Sequence, residues 1–386
     1  MSGGRQADAV IVGGRAAGAA TAMLLARRGL RVVVLERGRY GADTLSTHAL
    51  MRGGVLQLHR WDLLDGVVAA GTPPVRSSTF TFGRERLTIP IKPANGVDAL
   101  YAPRRTVLDR LLIDGATAAG AEVRHGVAVT GVGRGSQGRV TGVAGRDERG
   151  RRIEIEARIV IGADGVRSTV ADAVTAPFER VGTGASAVVY GYWSDLATDG
   201  YEWIFSPGAQ AGVIPTNDGQ ACVFAAATPQ RIGRGGMRVL RDVVAAADRD
   251  LAARLAAATA PSGVRTFGGR PGFVRRSCGP GWALVGDAGY WKDPLSAHGL
   301  TDALRDAELL ARAVVSWQCD GADEAMALGG YQAMRDALSA ELFATTDAIA
   351  AQSWTDDEIG DLLLRLSHSM ADEVQVLAAL DAVSAA

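Results

Sequence analysis

The stretch GWALVGDAGYWKDPLSAHGLTDALRDAELLAR, Gly281 to Arg312, is the one on which the fold turns. Its apolar run Ala283-Leu284-Val285 ends on Gly286-Asp287, and a loop containing Pro294 and Gly299 follows. Leu304, Ala307, Leu310, Ala311 and Val314 then recur at helical spacing. The reading is strand, loop, helix. A carboxylate at the end of a buried strand, with a helix N-terminus aimed at the same space, suits a polar ligand held at the carboxyl edge of a sheet.

Two earlier stretches follow the same plan. Asp8 to Gly14, DAVIVGG, reads as a buried strand ending in glycines, Ala16 to Arg28 as a helix stopped by Gly29, and Arg31 to Glu36 as the next strand, a βαβ unit. A dinucleotide fingerprint wants three glycines at this turn: one for tightness, one for close backbone approach to a pyrophosphate, one for helix packing. This chain offers Gly13, Arg15 and Gly18, so either the turn is displaced or, as is expected here, the guanidinium of Arg15 neutralises phosphate charge where a glycine would have let the backbone approach. Glu36 follows Gly13 by roughly 20 residues, the spacing of a carboxylate that binds ribose hydroxyls. Ile159 to Ser168, IVIGADGVRS, again carries an apolar run into a turn, here Asp164-Gly165.

Together with Tyr101 to Leu112, YAPRRTVLDRLL, these three turns in this order make the chain resemble the FAD-dependent flavoprotein monooxygenases of the aromatic-hydroxylase type. That is the group A family of p-hydroxybenzoate hydroxylase, related to flavin halogenases and geranylgeranyl reductases. The resemblance covers the segments around 8–70, 100–175 and 275–315. It implies an α/β fold: a Rossmann-like FAD-binding domain from residues 1–70, 98–180 and 265–330, an inserted antiparallel-sheet substrate domain from 71–97 and 181–264, and a C-terminal helical segment, 331–386.

The resemblance also implies roles. Gly13 and Gly18 would flank the FAD pyrophosphate, Glu36 would take the adenosine ribose, and Arg37 would lie along the adenine. Arg105 matches the family's flavin-contacting arginine, Asp164-Gly165 its turn for FAD and the nicotinamide cofactor, and Asp287 its ribityl ligand. Pro294, Gly299 and Leu300 fall in the loop at the flavin ring, where helix amides favour the reduced anion. The family loop reads Pro, two residues, Gly, any, Gly, any, Asn, whereas this sequence has Ala297 and Thr301 at the first Gly and the Asn.

Two inserts differ from the rest. Ser77 to Ile91 and Ala185 to Ala227 are rich in β-branched and aromatic residues, with turns at Thr198-Asp199-Gly200, Ser206-Pro207-Gly208 and Asn217-Asp218-Gly219. They read as a sheet that faces substrate with Tyr190, Tyr192, Trp203, Phe205, Ile214 and Pro215. His48, in the polar stretch DTLSTHALMR, is the first candidate for proton handling, and His298 in the flavin loop the second. From Tyr331 onward the pattern is helical, suited to packing on the FAD domain or forming a dimer face.

Composition bounds the rest. The 386 residues are 47% hydrophobic, with net charge −1 and arginines scattered among acids, so no basic face for nucleic acid is expected. Cys222, Cys278 and Cys319 lack the spacing of a metal site or disulfide framework, and a reducing cytoplasm is the default. No run approaches the ~18–20 apolar residues of a membrane span. The expectation is a cytoplasmic monomer or homodimer acting on a small molecule. In the family's chemistry NADPH or NADH reduces FAD, and a flavin C4a-hydroperoxide hydroxylates or epoxidises an aromatic or polycyclic secondary metabolite. The alternatives are a geranylgeranyl-reductase-type enzyme, echoed by Asp293-Pro294, a halogenase, whose WxWxIP pattern is missing here, and a non-catalytic flavin-binding protein.

Overall fold

The protein was analysed as a computed structural model, which describes residues 6–380. The outer limits expected at 1 and 386 therefore fall outside the described residues. At the centre are parallel strands. Ala7–Val12 is flanked by Val32–Glu36 and Arg152–Gly162, with Glu122–His125 beyond the first and Trp282–Leu284 beyond the second. Val10 aligns with Val33 on one side and Val160 on the other. Trp282–Leu284, most of Ala7–Val12 and of Val32–Glu36, and residues 159–161 at the end of Arg152–Gly162 are continuous apolar runs because both faces are covered there, whereas the edge strand Glu122–His125 is polar. Ala9, Ile11, Ile159 and Ile161 share a core with the helices Ala16–Arg27 and Gly299–Gln318, while Val10 and Val160 pack against Val127, Val140 and Val143 of an antiparallel extension. The chain first runs outward from Ala7–Val12 on one side and later returns on the other. A crevice at such a reversal, outside the carboxyl ends of the strands, is where ligands of open α/β sheets bind.

The second sheet has seven strands in the order Arg265–Phe267, Ala187–Ser194, Gln220–Ala227, Ala209–Pro215, Tyr201–Ser206, Ser77–Phe82 and Glu85–Pro90. It is antiparallel except that Ser77–Phe82 runs parallel to Tyr201–Ser206. Its first strand carries the sheet past the boundary read at 264, since Arg265–Phe267 pairs with Ala187–Ser194. One face, with Val188, Tyr190, Tyr201, Trp203, Phe205 and Ile214, belongs to the same buried core as Ile11. The other, with Val189, Trp193 and Val213, is sealed by Met237–Ala247 and Arg249–Ala257.

Two long helices, Glu324–Ala350 and Asp356–Ala379, close the described chain. The second begins at a capping box, Thr355 and Glu358 exchanging bonds that satisfy its first amides, and packs on the helix Arg52–Arg60. Among the described residues no helix is long and apolar enough to cross a membrane.

Candidate functional site

The three sequence turns lie side by side at the carboxyl edge of the parallel sheet. The Gly13 amide donates to Leu35 O at 2.8 Å, Ala163 N to Val12 O at 2.8 Å, and Val285 N to Gly162 O at 2.9 Å. Two glycines are required by contact rather than by composition. Gly13 has φ +101°, and a methyl there would stand 2.4 Å from the Ala163 carbonyl oxygen; a methyl on Gly18 would stand 1.9 Å from Gly13 O. The helix Ala16–Arg27 thus abuts the turn, and no side chain caps its N-terminus, so its first amides remain free to hold an anion.

Glu36 is buried, its Oε2 accepting from Gly14 N at 2.7 Å and its Oε1 from Gly38 N at 2.6 Å, which fixes the carboxylate beside the turn. Arg15 pairs with Asp109 at 3.1 Å. Asp109 is also gripped by Arg105, Nε at 2.9 Å and Nη2 at 3.1 Å. Two guanidiniums on one carboxylate leave a net positive charge next to the free amides, which is what a diphosphate needs. Arg37 is exposed at the rim.

The Asp164 carboxylate is committed to its own chain, accepting from Ser168 Oγ at 2.5 Å, Thr169 N at 2.7 Å and Val170 N at 3.2 Å, and so fixing the start of the short helix Thr169–Ala173. Burial raises its pKa, and these bonds oppose the rise. Gly165, at φ +79°, offers open backbone instead: a methyl there would meet nothing within 4 Å.

Asp287 is half-buried, and its carboxylate makes no hydrogen bond among the described residues. Burial lifts its pKa to about 6, against the pull of Lys292 and Arg105. A carboxylate left without donors at the sheet edge is matched by a polyhydroxyl chain that can supply them. Beyond it, Pro294 opens a short turn, Ala297 takes the left-handed conformation at φ 49° and ψ 28°, and the helix Gly299–Gln318 starts with no side-chain cap. Gly299 is exposed and Leu300 half-buried. Thr301 is turned away, its Oγ1 accepting from Met51 N at 3.1 Å. Glycine-lined amides, a fixed carboxylate, an arginine pair and the bare Asp287 together fit FAD.

His48 reaches the same space from the other side. It holds φ 70°, a left-handed position that histidine adopts more readily than most residues and that often marks a functional site. Its Nε2 lies 2.5 Å from the Tyr192 hydroxyl, and the Arg104 guanidinium stacks over the Tyr192 ring at 3.4 Å from its centre. Burial first, then Arg105, Arg104 and Arg265, push the His48 pKa well below 6.5, so the ring is neutral at neutral pH. Tyr192 keeps its proton, since burial raises its pKa far above 10. Of the six aromatic and apolar candidates, Tyr192 and Pro215 are the half-buried ones. Tyr190, Trp203, Phe205 and Ile214 sit in the core, Trp203 Nε1 bonded to Ser78 Oγ at 2.8 Å and Phe205 edge-on to Trp354.

His298 sits in an ionic layer behind the 294–297 turn. Its Nε2 is 3.1 and 3.2 Å from the two Glu373 oxygens. Arg305 bonds Glu373 at 2.7 Å, Asp306 at 2.7 Å and Ser339 at 3.0 Å, and stands 3.1 Å from Asp302. Lys292 is ion-paired with Asp302. All these groups are buried. Arg305 and Lys292 supply the positive charge that a metal ion would otherwise bring to these carboxylates. Sequence reasoning missed Lys292, Asp302, Arg305 and Glu373, and also Arg104. A usable signal was present: Glu373 stands in step with Leu363, Leu366 and Leu377, an acid on an apolar helical stripe.

Comparison with known proteins agrees with this geometry. A family model described as FAD binding domain matches residues 6–346. Digeranylgeranylglycerophospholipid reductase 2 of Methanopyrus kandleri is 28% identical over 319 residues, 77% of this chain and 74% of that protein. Among solved structures, the flavin-dependent brominase Bmp2 superposes with a TM-score of 0.81 at 16% identity, covering 97% of this chain and 93% of that one. PqsL of Pseudomonas aeruginosa, described as a probable FAD-dependent monooxygenase, gives 0.78 at 22%, covering 93% and 100%. Edge geometry and family match agree: the chain belongs to the FAD binding domain family and is an FAD-dependent oxidoreductase.

Proposed function

We propose that the protein is a monooxygenase that hydroxylates or epoxidises an aromatic or polycyclic metabolite, with NADPH or NADH as reductant. The observation that carries this reading is the His48–Tyr192–Arg104 group. A neutral imidazole 2.5 Å from a phenol, under a stacked guanidinium, is a polar, proton-handling wall suited to an aromatic substrate with an ionisable group. An unadorned isoprenoid has no ionisable group with which this pair could exchange a proton.

Bound FAD would store the reducing electrons and activate molecular oxygen. The protein's part is placement. Gly13, Gly18 and the amides of Ala16–Arg27 would hold the diphosphate, Glu36 the ribose, and Asp287 the ribityl hydroxyls. The uncapped N-terminus at Gly299 would set a positive field at the flavin ring. Tyr192 would take a proton from the substrate hydroxyl while passing its own to His48 Nε2. The exposed backbone at Gly165 is our candidate for the nicotinamide approach.

The test is turnover of FAD-loaded protein with NADPH or NADH under labelled O₂. The label should appear in product, and His48→Ala and Tyr192→Phe should each lower kcat/KM roughly 10²-fold. Product made without oxygen would select a reductase, the second reading, which the similarity to the Methanopyrus enzyme supports.

A further inference from the structure

The ionic layer behind the 294–297 turn is short of at least one positive charge. Asp302, Asp306 and Glu373 contribute three negative charges, Arg305 one positive and Lys292, whose pKa burial and then Arg305 lower to about 7, at most one more, so His298 decides the balance. The groups reach His298 from every side: Asp302 and Arg305 from its own helix, Lys292 from the preceding loop, Glu373 from the C-terminal helix. With the Nε2 proton given to Glu373, the ring's other nitrogen, Nδ1, is buried and has no hydrogen-bond partner. It is an open basic site inside a layer of net negative charge, and His298 is the residue immediately before the uncapped helix start at Gly299.

We infer that His298 takes up a proton at Nδ1 when the flavin is reduced and releases it on reoxidation, making the layer a charge-compensating proton store. The inference rests on the FAD placement proposed above. Two electrons and one proton, delivered as hydride from a nicotinamide or as electrons from dithionite plus a solvent proton, leave one negative charge on the flavin. A second solvent proton then enters the layer at His298. In the oxidised protein burial, helped by Lys292 and Arg305, keeps the His298 pKa below 6.5 although Glu373 pulls it up. A new negative charge nearby adds to the pull of Glu373. The extra proton is therefore taken up only in the window between the oxidised-state pKa and the higher reduced-state one.

The potential of the bound flavin, measured by dye equilibration from pH 5 to 8.5, reads this directly. Wild type should take up more than one proton per electron pair within the window, approaching two, and one above it. His298→Gln should lose the uptake seen in this window and keep only the second proton that the reduced flavin itself binds at lower pH. Glu373→Gln, which removes the carboxylate that raises the His298 pKa, should move the window to lower pH, a change that loosened packing alone would not produce. If these variants fold poorly, wild type carries the test itself: of its five histidines, labelled at Cε1 for NMR, the buried one that is not His48, whose signal is assigned by its loss in His48→Ala, should shift on anaerobic reduction near pH 6.5. One proton at every pH in flavin-loaded wild type, no histidine shift, or the same extra proton in His298→Gln would overturn the inference alone. Wild-type protein that binds no FAD would overturn the cofactor reading and this inference with it.

Discussion

The carboxyl edge of the parallel sheet and the ionic layer behind it lie next to each other, yet they are built in opposite ways. The edge is made of backbone: Gly13, Gly18, Gly165 and the free amides of two helices, brought together by strand register. The layer is made of side chains from residues 292, 298, 302, 305, 306 and 373, which the fold brings together inside a space closed to water. An edge of this kind tolerates change in most side chains and almost none in backbone clearance. The layer tolerates neither loss of a partner nor a change of charge, because each buried ion is held mainly by the others.

The largest effect expected from this contrast is in the layer. Arg305→Met leaves three buried carboxylates with Lys292 as their one remaining cation, and should destabilise the fold by about 3–5 kcal/mol. Urea denaturation at pH 7 measures it, and a loss below about 1 kcal/mol would show the layer to be solvated. At the edge, Gly18→Ala should cost about 1–3 kcal/mol, since the new methyl meets the backbone oxygen of Gly13 at 1.9 Å and no rotamer can relieve it. Flavin absorbance retained on purification measures the second consequence: the Ala variant should lose it, because Gly13 must move.

Asp287 joins the two regions and should behave in the opposite sense. Its folded-state pKa, about 6, lies above the ordinary 3.8, so the folded state holds that proton more tightly. The stabilisation it gives is complete below pH 3.8 and is lost as pH rises through about 6. In flavin-free protein, Asp287→Asn should therefore add about 1–2 kcal/mol at pH 7.5, after discounting for partial exposure, and nothing at pH 3.5. The same variant should bind FAD more weakly, a stability gain set against function. Equal stabilisation at both pH values would show that ionisation is not the cause.

The same contrast explains what could be read in the sequence. A strand that ends in Gly or Gly-Asp carries its geometry locally, so Gly13, Glu36, Asp164-Gly165 and Asp287 could be assigned to one edge before any coordinates. Asp164 shows the limit: its spacing put it in the right turn, but whether its carboxylate points to a ligand or to Ser168 and Thr169 depends on a helix start one turn away. The ionic layer is different. Lys292 and Glu373 are 81 positions apart, and nothing local joins them, so it is the packing of the Asp356–Ala379 helix on the Glu324–Ala350 and Arg52–Arg60 helices that brings Glu373 to His298. The substrate sheet lies between these cases. Alternation put Tyr190 and Tyr192 on one strand face and Trp203 and Phe205 on another, but not that these would join in one face that is mostly core and that Tyr192 alone of the four aromatics would remain half-buried.

Ala297 gives the finest test, because it stands where the edge and the layer meet. The family loop carries glycine at this position, and the backbone shows why: φ is 49° and ψ 28°, the left-handed region, where a Cβ crowds the neighbouring carbonyl. The strain costs about 1–2 kcal/mol, and Ala297→Gly would remove it while adding about 0.4–1 kcal/mol of unfolded-state entropy. The net gain should be under about 1 kcal/mol, detectable as a small rise in Tm. Its informative readout is elsewhere. If Ala297 is held in this strained conformation because the ionic layer clamps the loop through His298 and Glu373, then the gain from Ala297→Gly should shrink when Glu373→Gln is already present, because the loop is then free to relax. A double-mutant cycle measures that coupling, and strict additivity would show that the loop conformation is set by Pro294 and Asp293 alone.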